Sequence, residues 1–229
     1  MPYYNEIRIA KAVTNMIGEN MMRAKDYRQA AWEKLRGKWG TMAIATLIYA
    51  LIMGACGALM LAYIGGIAGL FLTGAFTLGL AIMGLAVARM QEVRAAQLFD
   101  GFKNYGSSLA LFLLITIFTA LWSLLLVIPG IIKAYSYSMS WYILADNPQM
   151  GANEARKQSM TYMNGNKWRL FCLHFSFIGW MLLGILTFGI LYFWIIPYMQ
   201  TAQAEFYRDI IAERSETNPN PPVATAAAV

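Results

Sequence analysis

The chain has 229 residues, of which 59% are hydrophobic and only 13% charged, with a net charge of +6. That charged share is about half the ~25% of soluble domains, which excludes an ordinary water-soluble globule. The positive excess does not point to nucleic acid, because Lys and Arg sit in clusters between long uncharged blocks.

Residues 4–37 read as a polar, partly amphipathic helix. Ile9, Val13, Met16 and Ile17 recur at helical spacing, and Tyr27, Ala31 and Leu35 continue the stripe beyond Gly18. Rich in Lys and Arg, the segment suits a helix lying on an anionic leaflet, or one that docks a partner protein. The first 38 residues hold no apolar core of the length a cleavable signal needs, so the first apolar block would itself be the insertion signal.

Residues 39–88 contain no Asp, Glu, Lys, Arg or His. A bilayer core about 30 Å thick takes ~20 apolar residues as a helix. The block therefore predicts two spans, 41–63 and 67–88, turning at Gly65-Gly66. Thr46, Ala50, Gly54, Ala58 and Ala62 form a four-residue ladder in the first span. Gly65, Gly69, Ala75, Gly79, Gly84 and Ala88 supply small residues in the second. Lipid gives apolar helices little drive to associate, so close approach at small residues carries the packing. The ladder is expected to join this pair, with contact between copies of the chain as the alternative.

The second uncharged block, 104–132, turns at Pro129-Gly130 and predicts spans 107–128 and 131–146. The later span is unusually polar. Ser136 and Ser140 share one face, and Tyr135, Met139 and Tyr142 another. Such a helix belongs inside a bundle, in a hydrogen-bonded core or lining a wet cavity. Asp146 closes it at the end where the helix dipole disfavours an anion, so a cation, Arg156 or Lys157, is expected beside it. The third block, 170–204, is broken only by His174 and predicts spans 169–187 and 190–208, turning at Thr187-Phe188-Gly189. Residues 215–229, with Pro219, Pro221 and Pro222, read as a disordered tail.

The fold class is all-α: a polytopic membrane bundle of six transmembrane helices in three pairs, plus the N-terminal amphipathic helix. The organisation is a cytoplasmic helical segment over 1–38, a six-span domain over 39–211 and a cytoplasmic tail over 212–229. Every Lys and Arg except Lys133 falls before the first span, in 89–106, in 146–169 or after the last span. Basic residues collect on the cytoplasmic side, which places both termini there. Lys133 can snorkel, and Trp39 and Trp168, beside Lys38 and Lys167, suit interfacial anchors.

The chemistry available is sparse. With one histidine, no metal cluster of His ligands or His-dependent nucleophile stands out, and Cys56 and Cys172 are far from any CxxC spacing. No phosphate-binding loop is present. No catalytic, cofactor or metal site is expected, and the chain does not read as an enzyme. The candidate intramembrane polar site is Ser136, Ser140, His174, Tyr135 and Asp146. An ionisable group at membrane depth is costly and often functional, but His174 near an inner interface is also explained by a neutral bond to a neighbouring helix.

The run from Lys133 through Tyr135, Ser136, Tyr137, Ser138, Met139, Ser140, Trp141 and Tyr142 to Asp146-Asn147-Pro148 resembles the signature of a bacterial membrane family, domain of unknown function 975. So do Glu154-Ala155, Ser159-Met160, Met163-Asn164-Gly165-Asn166-Lys167-Trp168, Leu170-Phe171, Ser176-Phe177-Ile178-Gly179-Trp180, Leu186-Thr187-Phe188-Gly189, Pro197-Tyr198 and Ala204-Glu205-Phe206-Tyr207. Leu98-Phe99-Asp100-Gly101-Phe102 and Ala31-Trp32-Glu33-Lys34-Leu35 fit the same pattern, which covers about residues 27–211. His174 departs from it, standing where the family more often places an acidic or polar residue. The resemblance implies a multi-pass, all-helical protein of the bacterial inner membrane without an assigned activity. The family is also distantly similar to membrane regions attached to glycerophosphodiester phosphodiesterases, whose chemistry resides in a separate soluble barrel.

The favoured function is a non-enzymatic membrane protein that binds a lipid or hydrophobic peptide, or supports export or envelope homeostasis. The alternative is a small transporter or channel acting as an oligomer. An intramembrane lipid enzyme is least supported, since it would need clustered acid–base groups. The partners expected are membrane lipids, a hydrophobic peptide or partner membrane protein, and further copies of the chain, with no nucleic acid.

Overall fold

A computed structural model describes residues 24–58, 64–125, 127–187 and 189–217. The stripe from Ile9 to Ile17, the ladder position Ala62, Phe188 and the tail beyond residue 217 lie outside them. Within the described residues all regular structure is helical.

Helix α1 (Ala24–Leu35) buries Tyr27, Ala31 and Leu35, the predicted stripe. Gly37, at φ +79°, takes the left-handed conformation that ends a helix cheaply. The chain then bends by 100° into α2 (Trp39–Ala58). Helix α3 (Ile64–Ala88) takes in the glycine pair, so Gly65 and Gly66 belong to its first turn and not to a loop. Next comes a 3-10 helix (Ala95–Phe102), which packs along α3. The remaining helices are α4 (Tyr105–Leu125), α5 (Val127–Tyr137), α6 (Ser140–Asp146), α7 (Ala152–Tyr162), α8 (Lys167–Phe175), α9 (Ile178–Leu186) and α10 (Tyr192–Thr217).

Helix α3 is the axis of the bundle, in contact with α1, α2, the 3-10 helix, α4, α6 and α10. Its glycines admit three of them. A Cβ at Gly79 would stand 2.0 Å from the Leu98 carbonyl oxygen, and one at Gly101 would stand 1.9 Å from that of Ala75. Gly74 meets the Ser108 carbonyl of α4, and Gly84 the Gln200 carbonyl of α10. The ladder on α2 packs at Thr46, which is buried, but not at Gly54. Nothing lies within 4 Å of a Cβ at Gly54, and Ala50 and Gly54 are exposed. Helix α2 meets the core through Met42, Ala45 and Thr46, with Tyr49 edge-on to Phe76. The expected joint through Gly54 is therefore corrected: the small residues that bind the pair into the bundle are those of α3.

The second pair also differs in detail. Helix α4 ends at Leu125 and α5 starts at Val127, so Pro129 sits in the first turn of α5, where its missing N–H costs nothing. Gly130 lies against α4, its Cβ position 2.2 Å from Ser123 Oγ. It is a packing residue and not a turn. Lys133 lies 4.9 Å from the centroid of the Trp122 ring, which cradles its charge. The predicted span 131–146 divides at Ser138-Met139. There Ser159 Oγ donates to the Ser136 carbonyl (2.8 Å) and Ser138 Oγ to the Tyr135 carbonyl (2.8 Å), bonds that compete with the helical ladder. The predicted span 169–187 bends at Ser176-Phe177, where Arg28 of α1 donates to the Ser176 carbonyl at 2.8 Å. The turn at 187–189 stands as expected, with Gly189 at φ +87°. Helix α10 runs on to Thr217, so residues 215–217, expected to be disordered, are helical.

Among the described residues, three helical stretches are long and apolar enough to cross a membrane: Phe71–Ala88, Tyr105–Leu124 and Lys167–Leu186. Counting α1 with α2 as one bent span makes four. Leu51, Ile117, Leu121, Leu124, Ile128, Leu182, Ile185 and Leu186 are all exposed. Soluble monomers rarely expose apolar surface on this scale. The apolar helices and their exposed residues mark a membrane protein.

Candidate functional site

Polar side chains gather where α3 ends. Lys34 Nζ and Arg208 Nη1 both donate to the Ala88 carbonyl (2.9 and 2.6 Å), and Glu205 bridges them at 2.6 and 3.3 Å. Cations at a helix C-terminus are favoured by its dipole and its unpaired carbonyls. The next residue, Arg89, pairs with Asp146 at 2.7 Å. The partner expected for Asp146 was Arg156 or Lys157; it is Arg89, because α6 packs along α3 and brings the two helix ends together. The bond to Asp146 holds the Arg89 guanidinium above its ordinary pKa. A second cluster docks α1. Arg169 Nη2 donates to Tyr27 Oη and Asp209 Oδ2 (both 2.6 Å), and Nη1 to Glu213 Oε1 (2.9 Å). Tyr27 donates to Asp209 Oδ2, and burial with that bond pushes its phenol well above the usual range.

A third group runs between the helices. Tyr135 Oη lies 3.3 Å from His174 Nδ1, and His174 Nε2 lies 2.7 Å from Gln203 Nε2. Tyr142 Oη is 3.2 Å from Gln203 Oε1 and 2.9 Å from Gln200 Oε1. The two ring nitrogens of His174 bridge Tyr135 and Gln203. The chain Tyr135–His174–Gln203–Tyr142–Gln200 thus joins α5, α8, α10 and α6.

Of the five candidate residues, Tyr135 and His174 come together. Ser136 is buried and bonds the Ile132 carbonyl at 2.9 Å. Ser140 is fully buried with no hydrogen-bond partner for its hydroxyl. Asp146 belongs to the Arg89 pair. The sequence reading missed Gln200 and Gln203, although two amides one helical turn apart between Ile195 and Glu205 were a visible signal.

Beside this chain lies a groove between α4 and the α5–α6 segment, of about 530 Å³. Thr116, Thr119, Ala120 and Ser123 line one wall, and Tyr137, Ser138 and Trp141 the other. Its volume lies in the ~300–1,000 Å³ range of small-molecule sites. The Thr119 hydroxyl is buried and has no hydrogen-bond partner, and the surface the groove presents is mainly apolar. Among the described residues no three His, Cys, Asp or Glu side chains converge as metal ligands would.

No curated protein and no solved structure matches this chain. The family described as a protein of unknown function (DUF975) matches residues 21–136 and 124–214. These two overlapping matches take in every described helix from α1 to the last turn of α10, and the chain belongs to the DUF975 family.

Proposed function

We propose that this is a non-enzymatic integral membrane protein that holds a lipid, or a hydrophobic peptide, in the groove between α4 and α5–α6, in support of export or envelope homeostasis. The observation that carries the reading is the groove itself. It is an open, mainly apolar concavity, in which Ile115, Ala120, Ala134 and Trp141 stand among the hydroxyl side chains of Thr116, Ser123 and Ser138. Its neighbours Ile117, Leu121 and Leu124 are exposed, as lipid-facing residues of a span would be.

The proposal includes six crossings of the bacterial inner membrane, with both termini in the cytoplasm. Its support is that α2 packs on α3, α4 on α5 and α9 on α10, while every Lys and Arg but Lys133 falls outside 39–88, 104–146 and 170–204. The distant likeness to membrane regions of glycerophosphodiester phosphodiesterases belongs to the same proposal, since those regions accompany lipid chemistry without performing it. A small transporter or channel acting as an oligomer is the second reading, favoured by the polar chain through His174. That chain is closed on itself by side-chain bonds, and the binding reading is the better supported.

The test is native mass spectrometry of the protein released from native-lipid nanodiscs, on wild type and Ala120→Phe. Ala120 is an exposed groove residue, so a phenyl ring fills the groove without disturbing the core. Wild type is expected to carry about one lipid or peptide per chain, and Ala120→Phe to lose it with helicity unchanged. A bare wild type, or an occupant untouched by Ala120→Phe, contradicts the assignment.

A further inference from the structure

We infer that the end of the bundle where α1 bends into α2 holds the headgroup of an anionic phospholipid, its phosphate on Arg28 with Lys25 beside it. The site is separate from the groove and does not depend on it. Arg28 is half-buried on α1. Its Nη1 donates to the Ser176 carbonyl at 2.8 Å, and its Cζ lies 6.0 Å from the centroid of the Phe177 ring. These two contacts fix the guanidinium at the break between α8 and α9. Nε is enclosed and unbonded, whereas Nη2 makes no bond within the described residues and is not enclosed. One face of a positioned guanidinium therefore opens to the surface.

That face has no anion. Lys34, Arg89 and Arg169 each pair with a carboxylate, but among the described residues no carboxylate forms an ion pair with Arg28. Lys25 is exposed and stands three residues before Arg28, as its neighbour on the helix surface. Asp26 and Glu33 fall on the far flank of α1 by the 3.6-residue period. An anion that reaches Arg28 thus meets two cations and no carboxylate of α1.

The surroundings say which anion. Phe177 packs edge-on to Tyr198 at 5.0 Å, and around Tyr198 stand Trp32 at 5.6 Å, Trp39 at 6.2 Å and Trp180 at 6.5 Å. Trp32 and Trp180 are exposed. Tryptophans gathered at one level of a bundle mark the boundary between bilayer and water. The 100° bend turns α1 across the end of α2, so α1 runs along the boundary that α2 crosses. Past the tryptophans the surface is apolar: Leu183, one turn beyond Trp180 on α9, and Trp194, one turn before Tyr198 on α10, are exposed. An acyl chain against this surface carries its phosphate to the open face of Arg28, the side chain best matched to that group. A zwitterionic headgroup would bring its own ammonium toward Lys25 and Arg28, so the site favours a net negative one.

The test uses the full chain in nanodiscs made from equal parts of phosphatidylglycerol and phosphatidylcholine with identical acyl chains. Lipids that remain bound after mild detergent release are then counted by native mass spectrometry. Two cations at a membrane surface predict that wild type keeps phosphatidylglycerol over phosphatidylcholine by about tenfold, and that Arg28→Met loses this excess. Equal retention by wild type, or an excess that survives Arg28→Met, overturns the inference. An excess lost in Ala120→Phe but kept in Arg28→Met also overturns it, and leaves the groove standing as the lipid site. Should Arg28→Met fail to fold, Lys25→Gln, a change at an exposed position, is read instead. A fall in the preference of about threefold or more then supports the inference, and a smaller change overturns it.

Discussion

Gly79→Ala is expected to lower the melting temperature by about 6–12 °C, and Gly79→Leu to prevent a monodisperse fold. A single added methyl group at Gly79 would meet the Leu98 carbonyl oxygen at 2.0 Å. Backbone cannot swing aside as a flexible side chain can, so the cost falls at or above the top of the usual ~1–3 kcal/mol for overpacking. Gly101 returns the contact from the other side, its Cβ position 2.9 Å from the Gly79 nitrogen, so no local shift relieves both. Gly54→Leu is the matching control. It has open space around it and should leave the melting temperature within about 1–2 °C of wild type. Thermal unfolding in one detergent decides the matter, and a Gly54→Leu loss as large as that of Gly79→Ala would refute this packing scheme.

Arg89→Met is expected to cost about 3 kcal/mol, because it strands the Asp146 carboxylate, which is 6% exposed, without its cation. Removing one partner of a buried pair is worse than removing both. Adding Asp146→Asn to Arg89→Met should therefore recover more than half of the loss. A double-mutant cycle read by denaturant unfolding measures this coupling. If Arg89→Met costs less than about 0.5 kcal/mol, the pair is a surface contact and does not hold α6 to α3.

What the sequence revealed and what it concealed divide by range. Hydropathy is a local property, and it located the apolar helices. Tyr27, Ala31 and Leu35 gave the buried face of α1 through helical period alone. The breaks at Ser138-Met139 and Ser176-Phe177 were hidden, because they depend on Ser159 and Arg28 reaching in from other helices. Glycine was ambiguous for the same reason: Gly54 and Gly79 look alike in sequence, and only the neighbour at Leu98 separates them. Asp146 was recognised as needing a cation, but its partner is 57 positions away. Tyr135 and His174 were legible as polar residues in or beside apolar blocks, whereas the groove needed the Thr116, Thr119 and Ser123 face of α4 set against α5, a juxtaposition with no local signal.

The groove can meet lipid only if the α4–α5 hairpin is inserted in the bilayer, and its tip is the place to ask. Leu124, next to the end of α4, is 88% exposed, the most exposed large apolar residue described. A cysteine placed there, in a chain with Cys56 and Cys172 changed to Ala, should react with a membrane-impermeant maleimide added to the outside of intact cells. Labelling at that position from outside is what the six-crossing arrangement predicts. Labelling only after the membrane is breached, from the cytoplasmic side, would show a hairpin that never crosses and would contradict it.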